Sequence, residues 1–273
     1  MSAGPPELGP RRERLRNRIE HWRLKRRLAG PKLLRAFAAE FPSAFFIEIG
    51  SNDGEYGDPL RPLILSRQWS GVMVEPVPHV FERLRANYAA LDRIAFENAA
   101  ITDHDGEVPF YHLSEAEPSE PVPEWYDAIG SVSRAVVRGS ADEILDLDRR
   151  LVSTTVPSMT FESLCRKHHV RELDLLLIDT EGYDHELLRQ IDLSVRRPTL
   201  LIYEHFHLLA DQRADCQDLV RGAGYELMEE GFDTYCILAT ASERLKRAWR
   251  GLRPAVPGLS VHELRSARRQ RAD

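Results

Sequence analysis

Residues 45–54 read Phe45-Phe46-Ile47-Glu48-Ile49-Gly50-Ser51-Asn52-Asp53-Gly54. This apolar, β-forming run carries an acid and opens at once into a glycine-containing turn. A second apolar run, Gly71-Val72-Met73-Val74-Glu75, follows about twenty residues later and also ends in an acid. Two such strands in a parallel sheet bind a nucleotide-like ligand at their carboxyl ends. We therefore expect Glu75 to accept hydrogen bonds from two ribose hydroxyls, and Gly50 and Gly54 to leave room for the ligand.

The turn after the first strand lacks the features of a phosphate-binding loop. Its spacing, Glu48-x-Gly50-x-x-x-Gly54, has no third glycine at the pyrophosphate position. The Lys-Ser/Thr pair of a phosphate-cradling loop is also absent. A ligand with an adenosine but no phosphates fits this turn better, so the sequence predicts S-adenosylmethionine as the cofactor.

Composition indicates a globular protein. The chain has 273 residues, of which 42% are hydrophobic, and this length suits one α/β domain with tails or two small domains. No apolar stretch approaches the roughly 20 residues that cross a bilayer, and we expect no secretory signal. Cys165, Cys216 and Cys236 are scattered and form no C-x-x-C pair. They predict reduced thiols and a cytoplasmic location.

Charge is divided unevenly along the chain. Residues 11–27 and 244–271 each hold nine Arg or Lys, which leaves a net charge of about −18 for residues 28–240. An acidic body binds nucleic acid poorly, because phosphate contacts need basic side chains. The basic tails could contact RNA, an anionic membrane surface or an acidic partner. The simpler interpretation, which we favour, is that they are solvated helices that pack on the acidic body.

Strand and helix patterns alternate along most of the chain. Strands are predicted at 45–50, 71–76, 94–101, 107–112, 173–179 and 199–204, with helices near 59–68, 78–90, 160–168, 184–191 and 211–222. Residues 225–229 and 234–239 predict a closing antiparallel hairpin, and the Glu-, Pro- and Ser-rich residues 114–158 predict an irregular insertion over the site. The alternation predicts an α/β fold with a Rossmann-like, mostly parallel sheet of seven strands, a C-terminal antiparallel hairpin and helices on both faces.

Ordered motifs then point to a family. The segments are IGSNDG at 49–54, GDPL at 57–60, VEPVP at 74–78, WYDAIGSVSR at 125–134, TFESL at 160–164, DLLLIDTEGYDHELL at 174–188 and YEHFHLL at 203–209. Together they resemble the FkbM-type methyltransferases, a branch of the class I S-adenosylmethionine-dependent enzymes. The resemblance covers roughly residues 44–240. The chain is thereby divided into a basic extension at 1–43, disordered and then helical, a methyltransferase domain at 44–240 and a basic tail at 241–273.

The resemblance implies roles for particular residues. The methionine-side loop would be formed by Glu48, Gly50, Ser51, Asn52, Asp53 and Gly54. Glu75, followed by Pro76, would be the ribose acid, and Asn98, Ala99 and Ala100 would hold the adenine edge. Asp179 would lie closest to the sulfonium. The family label also implies O-methylation, often of sugar or natural-product hydroxyls, but it does not fix the acceptor.

The chemistry requires a proton acceptor, because an alcohol has a pKa far above 7. His205 stands beside Glu204 at a strand end, where the carboxylate could orient the ring, and it is the predicted base. Asp179 and Glu181 are alternative bases or partners of the sulfonium, and Glu181 could instead bind acceptor hydroxyls. His207 is predicted to be a structural loop histidine.

A divalent metal is a less favoured alternative in the same place. Asp179, Glu181, Glu204, His205 and His207 offer oxygen and imidazole ligands. Of these residues, Asp179, Glu204 and His205 are the predicted metal ligands. A bound cation would lower the pKa of the acceptor hydroxyl directly.

Three functions compete at this stage. The first is O-methylation of a small molecule or glycan, the second is N-methylation of an amine or a protein side chain, and the third is a non-catalytic module that docks through the basic tails. Tyr183, Trp125 and Tyr126 could line an acceptor pocket or belong to the core. Ser131 and Ser133 could bind ligand or only form their turn.

Overall fold

The computed structural model describes residues 27–116, 122–141, 144 and 146–270. The helix predicted at 11–28 and the disorder predicted at 1–10 lie almost wholly outside these residues. The strands are β1 Phe45–Ile49, β2 Ser70–Val74, β3 Ile94–Glu97, β4 Ala100–Ile101, β5 Gly106–Leu113, β6 Gly130–Ser131, β7 Leu151–Met159, β8 Leu175–Ile178, β9 Leu200–Glu204, β10 Tyr225–Glu230 and β11 Asp233–Leu238. The helices are α1 Ala29–Glu40, α2 Arg61–Ser66, α3 Pro78–Asn87, α4 Arg134–Ser140, α5 Leu147–Arg150, α6 Phe161–Lys167, α7 Asp184–Gln190, α8 Ala210–Gly222, α9 Glu243–Gly251 and α10 Val261–Gln270.

Seven strands form the central sheet, in the order β10-β11-β9-β8-β1-β2-β3. Neighbouring strands from β9 to β3 are parallel, whereas β11 runs antiparallel to both β9 and β10. The predicted fold class is therefore confirmed, including the C-terminal hairpin. Strands β1, β8 and β9 are buried on both sides because helices cover both faces of the sheet.

Register fixes which residues meet at the carboxyl edge. Ile49 in β1 pairs with Val74 in β2 and with Ile178 in β8, and Ile178 pairs in turn with Tyr203 in β9. The four strands therefore end at one level. Glu75, which follows β2, and Asp179, which follows β8, therefore lie on either side of β1 at this edge.

Alternation of side chains gives the sheet two hydrophobic cores. Ile47 and Ile49 face one cluster, which α6, α7 and α8 cover. Phe46 and the neighbouring Leu175 face a second cluster, which contains residues of α1, α2, α3 and α9. Because Glu48 lies two residues after Phe46 on the same strand, its carboxylate points toward the same side of the sheet, which α1 covers.

A second sheet, which was not predicted as such, combines β5, where a strand was predicted at 107–112, with β6 and β7, of which β6 and most of β7 lie in the region expected to be irregular. Its four strands have the order β4-β7-β5-β6. Residues 94–101 were predicted as one strand, but the chain leaves the central sheet after Glu97, and Ala100–Ile101 pairs with β7. The nine-residue strand β7 pairs with β5. Pro109 and Pro157 in these two strands weaken a strand pattern, because proline cannot donate to a ladder.

The described parts of both flanking segments pack on the folded body. Leu33 and Phe37 of α1 share one buried cluster with Leu245 of α9 and the sheet. The buried carboxylate of Glu230 accepts hydrogen bonds from Ala29 N (2.6 Å), Gly30 N (2.9 Å) and Ala255 N (2.6 Å). The boundaries predicted at 43/44 and 240/241 therefore cut through a common core. Among the described residues, no helix is both long enough and apolar enough to cross a membrane.

Glu230 should be needed for the stability of the fold. Glu230→Ala leaves the buried N–H groups of Ala29 and Gly30 without an acceptor, at about 1–3 kcal/mol for each buried donor. The free energy of unfolding from denaturant titration should fall by at least about 2 kcal/mol. Glu226→Ala is the matched control, because Glu226 lies on the same strand and accepts only an exposed bond from Trp249. A Glu230→Ala protein as stable as this control would contradict the assigned role of Glu230.

Candidate functional site

A cavity of about 1560 Å³ opens at the carboxyl ends of β1, β2, β8 and β9. Its walls come from the loops after these strands, from the second sheet and from α1. Acidic residues are prominent among the lining side chains: Glu48, Glu55, Asp58, Glu75, Asp127, Asp179, Glu181, Glu204 and Asp233. The sheet therefore presents a row of carboxylates to one enclosed space.

The loop after β1 is held by backbone contacts. Gly50 N and Ser51 N both donate to the carbonyl oxygen of Val74, at 3.0 and 2.9 Å. Gly50 has a φ of 84°, and a Cβ there would overlap the carbonyl oxygen of Asp179. Gly54, with a φ of 67°, lies against the ring of Tyr88 in the same way. The expectation that both glycines make room for the ligand is corrected, because a Cβ at either position would meet the protein itself.

Glu75 is buried and held by two backbone donors. Its Oε2 accepts from Asn52 N at 3.0 Å, and its Oε1 accepts from Val77 N at 2.8 Å. Burial raises the pKa of Glu75 to about 7, although these two bonds act in the opposite direction. A carboxylate has about four acceptor sites, so two remain for ligand hydroxyls. Asn52 reaches Glu75 in a left-handed conformation, with φ at 48°.

The predicted adenine edge is mostly apolar. Ala99 and Ala100 line the cavity, together with Val77, Phe110 and Ile129. Asn98 instead supports the scaffold, because its side-chain amide donates to the carbonyl oxygens of Glu75 (2.8 Å) and Pro76 (3.1 Å). It ties the end of β3 to the loop after β2 and does not line the cavity. The result is an apolar region of the cavity wall near Glu75.

Buried carboxyls lie beneath the loop after β1. Glu48 is 2% exposed, and its Oε2 has no hydrogen-bond partner in the described structure. Burial, and then the neighbouring charge of Asp58, raises the pKa of Glu48 well above its usual range. Tyr88 donates to Asp58 at 3.0 Å. Burial also raises the pKa of Asp179, whose Oδ1 has no partner in the same description.

Two carboxylates of this row, Glu181 and Glu204, converge with His207. His207 Nε2 lies 2.8 Å from Oε2 of Glu181 and 3.9 Å from Oε1 of Glu204. Glu181 is placed by a strained loop: its φ is 49°, and Asp184 holds the loop by accepting from Thr180 Oγ1 at 2.9 Å. Glu204 is 6% exposed, and its Oε2 has no partner among the described residues. These three residues are called the Glu181–Glu204–His207 cluster below.

His205 lies away from this cluster. Its side chain is fully buried, its Nδ1 contacts Thr234 Oγ1 at 2.9 Å, and it does not line the cavity. Burial lowers the pKa of His205 to about 4. Alternation explains its position, because Glu204 faces the cavity and the next side chain along an extended backbone faces the opposite way. The structure thus exchanges the expected positions of the two histidines: His207, which was predicted to be structural, is the one in the cavity.

A comparison with protein families gives one match that covers most of this site. The model described as the methyltransferase FkbM domain matches residues 48–227. The chain belongs to the FkbM methyltransferase family. The resemblance seen in the sequence motifs is thereby confirmed.

Individual relatives of this FkbM family member are distant. The 2-O-methyltransferase NoeI of Sinorhizobium fredii is 27% identical over 149 residues, which are 55% of this chain and 58% of NoeI. The chain thus aligns with less than two thirds of that relative. A solved FkbM methyltransferase from Methylobacillus flagellatus KT has 12% identity and a TM-score of 0.43, over 71% of this chain and 44% of the other. A Thermotoga maritima S-adenosylmethionine-dependent O-methyltransferase has 6% identity and a TM-score of 0.39, over 78% and 66%. The two solved structures, at these identities and TM-scores, do not bear on substrate or chemistry.

The remaining predicted residues of this FkbM family member divide between the cavity and the scaffold. Ser51, Pro76, Trp125 and Tyr183 line the cavity. Asp53 accepts from Glu55 N and Tyr56 N, both at 2.9 Å, and so shapes the loop. Tyr126 is buried in a cluster below the second sheet. Ser133 caps α4 through Val136 N, and Ser131 accepts from Ser133 N at 3.2 Å.

Sequence reasoning missed Asp58, Asp233 and the placement of His207. Asp58 lies in the quoted GDPL segment, but no strand-end argument reaches a residue in the loop between β1 and α2. His207 could have been found, because Glu204 and His205 cannot both face inward from one extended strand. The turn after β9 then brings His207 back to the Glu204 side.

The raised pKa of Glu48 predicts that its buried carboxylate lowers the stability of the ligand-free protein. A carboxyl whose pKa is higher in the folded chain contributes stability below its unfolded pKa of about 4.3, and this contribution is lost as the pH rises through the folded pKa. Glu48→Gln should therefore raise the melting temperature of the ligand-free protein at about pH 8, by about 2–4 °C for each kcal/mol gained. The gain should shrink as the pH falls toward about 4.3.

Scanning calorimetry across this pH range tests the prediction. Glu55→Gln is the control, since Glu55 is largely exposed and its removal should leave the melting temperature unchanged at every pH. An equal or lower melting temperature for Glu48→Gln at about pH 8 would show that Glu48 carries no buried-charge cost.

Proposed function

We propose that the protein is an S-adenosylmethionine-dependent O-methyltransferase that acts on a hydroxyl of a carbohydrate or another secondary metabolite. The observation that carries this proposal is the presence, in one cavity, of the ordered Glu75 carboxylate and the Glu181–Glu204–His207 cluster. The Glu75 carboxylate suits the hydroxyls of a ribose. The Glu181–Glu204–His207 cluster suits an acceptor hydroxyl that loses its proton. Membership of the FkbM family supports methyl transfer.

The donors of S-adenosylmethionine match the acceptors of the cavity. Glu48 Oε2, Asn52 Oδ1 and Asp179 Oδ1 are buried oxygens with no hydrogen-bond partner in the described part of the chain. The cofactor carries an ammonium group, two ribose hydroxyls and an adenine amino group, all of which donate. Its positive charges also suit a wall of carboxylates. The residues present therefore fit this cofactor.

Glu75 would bind the ribose, the apolar slot beside Ala99 and Ala100 would hold the adenine, and Glu48 and Asp179 would face the methionine end. Bound there, the cofactor supplies a methyl group on a positively charged sulfur whose leaving group is a neutral thioether. The main catalytic contribution left to the protein is alignment of the acceptor oxygen. Asp179 and Glu181 lie where the positive charge needs compensation.

A hydroxyl acceptor is supported by size and by one relative. The cavity of about 1560 Å³ exceeds the range of about 300–1,000 Å³ that is usual for one ligand, so a second molecule fits beside the cofactor. Trp125 and Tyr183 offer aromatic faces on which a sugar can stack. The relative NoeI is named a 2-O-methyltransferase, which supports oxygen as the accepting atom.

Removal of the hydroxyl proton is assigned to the Glu181–Glu204–His207 cluster. His207 is the group nearest to both carboxylates, and Glu181 orients its ring at 2.8 Å. A carboxylate-oriented imidazole is a common general base.

We also propose a cytoplasmic location, supported by Cys165, Cys216 and Cys236, which are buried and form no disulfide.

Binding of S-adenosylmethionine should depend on Glu75. Glu75→Ala leaves the two ribose hydroxyls unpaired in a buried site, which costs about 1–3 kcal/mol. Isothermal titration should show a dissociation constant about 5–150-fold higher than for the wild type. Glu82→Ala, an exposed acid of α3, is the matched control and should bind normally. Unchanged affinity in a folded Glu75→Ala protein would remove the ribose assignment.

Methyl transfer should depend on His207 and not on His205. His207→Ala should reduce turnover of a hydroxyl acceptor by about 10²–10⁴-fold, with little change in cofactor affinity. His205→Asn retains a polar contact near Thr234 and should keep near-normal turnover. A panel of glycans, phenols and amines with labelled cofactor provides the assay. Loss of turnover in His205→Asn with retention in His207→Ala would return the base role to His205, and transfer to amines alone would change the acceptor class.

A further inference from the structure

The Glu181–Glu204–His207 cluster stands out in its composition. Among the described residues, it is the one group of three acidic, histidine or cysteine side chains whose ligand atoms all lie within 4.8 Å of one another. Two carboxylates and one imidazole form a mixed oxygen and nitrogen donor set. Such sets bind divalent cations of the first transition row, with carboxylates suiting Mn²⁺ in particular.

The spacing of the donor atoms fits a single ion. His207 Nε2 is 2.8 Å from Glu181 Oε2 and 3.9 Å from Glu204 Oε1. Ligands about 2.1 Å from an octahedral ion lie about 3.0 Å apart when adjacent and about 4.2 Å apart when opposite. The two distances fall near these values. Little movement of the side chains would bring all three onto one cation.

A second observation points to a missing partner. Glu204 is buried, with only 6% of it exposed, and its Oε2 has no hydrogen bond among the described residues. A buried carboxylate oxygen without a donor is costly unless a cation or donor compensates it. No arginine or lysine side chain is paired with Glu204 in the ion pairs of the described residues. A cation supplied from solution would compensate this charge.

The surroundings hold the imidazole in a usable orientation. Ser140 of α4 lies 3.5 Å from His207 Nδ1, on the ring side away from Glu181. Metal-bound histidines commonly use their second nitrogen in such a contact, which fixes the ring and leaves the other nitrogen for the metal. The backbone of the segment is also held, because His262 Nε2 contacts the carbonyl oxygen of His207 at 3.2 Å.

We propose that Glu181, Glu204 and His207 bind a divalent cation, best represented by Mn²⁺, which the acceptor hydroxyl also coordinates. This proposal rests on the proposed methyl transfer; it adds a metal and makes His207 a ligand of that metal in place of the general base. It also replaces the set Asp179, Glu204 and His205 that the sequence suggested, because His205 lies outside the cavity. Three protein ligands leave open positions on an octahedral ion for the substrate.

The cation would activate the acceptor without changing its own charge. Coordination lowers the pKa of the hydroxyl, and the O–H bond breaks with the proton passing to water. The oxygen then forms a bond to the methyl carbon, while the carbon–sulfur bond breaks and leaves its electron pair on sulfur. With the ion bound, His207 serves as a ligand and the hydroxyl needs no separate protein base. A sugar with two neighbouring hydroxyls could occupy two of the open positions.

Direct binding of Mn²⁺ tests the proposal without relying on methyl transfer. Protein freed of metal with a chelator should bind one Mn²⁺, measured by titration calorimetry and by loss of the free-ion EPR signal. Glu204→Gln and His207→Gln should each weaken this binding by more than about tenfold. Glu75→Gln is the matched control, since it changes a cavity carboxylate outside the cluster and should bind Mn²⁺ as the wild type does.

Two results would overturn the metal site. One is the absence of Mn²⁺ binding by the wild type, and the other is binding that Glu204→Gln and His207→Gln leave unchanged. In the activity arm, full methyl transfer in excess chelator would show that the cation plays no part, while leaving the proposed function intact. Failure of the wild type to bind S-adenosylmethionine would instead remove the proposed function, whatever the result with Mn²⁺.

Discussion

The common register of the parallel strands is the constraint on which the site depends. Because β1, β2, β8 and β9 end at the same level, the residues that follow them meet at one edge. Several of the meeting residues are acids, and most of them are buried. Burying carboxylates together is unfavourable, since each loses hydration and repels its neighbours. The two hydrophobic cores on either side of the sheet supply the stability that this arrangement costs.

An acid-rich cavity of this kind is organised for a positive ligand before any ligand binds. Backbone N–H groups of Asn52 and Val77 already hold Glu75, and Asp184 already holds the loop that carries Glu181. Such preorganisation lowers the entropy lost when side chains are ordered on binding. Burial is the main cause of the raised pKa values of Glu48, Glu75 and Asp179. We expect binding of a cationic ligand to offset the cost of burying these carboxyls.

Much of the central sheet could be predicted from the sequence, because its strands are short apolar runs that end in acids or glycines. The second sheet as a whole could not: the strand predicted at 107–112 matches β5, but β7 contains a proline and polar residues, and its pairing with β5 depends on tertiary contacts. The flanking helices were assigned to tails because their charge dominates the pattern, whereas the few apolar residues of α1 and α9 decide their packing. Cofactor-side acids were placed by strand-end logic. The roles of His205 and His207 were predicted the wrong way round because the prediction did not take account of side-chain alternation beyond Glu204. Gly50 and Gly54 were predicted to make room for the ligand because their contacts with Asp179 and Tyr88 are long-range and cannot be seen in the sequence.

The proposed function requires S-adenosylmethionine to bind in the cavity, and we expect buried carboxyls to ionise as it binds. Titration calorimetry of the wild-type protein in two buffers of different ionisation enthalpy, at a pH just below the pKa of Glu75, measures this directly. Ribose hydroxyls and cationic groups stabilise ionised carboxylates, and Glu75 has a pKa of about 7 when no ligand is bound. We expect S-adenosylmethionine to bind with a net release of protons. Absence of binding, or binding with proton uptake, would rule out this mode of cofactor binding.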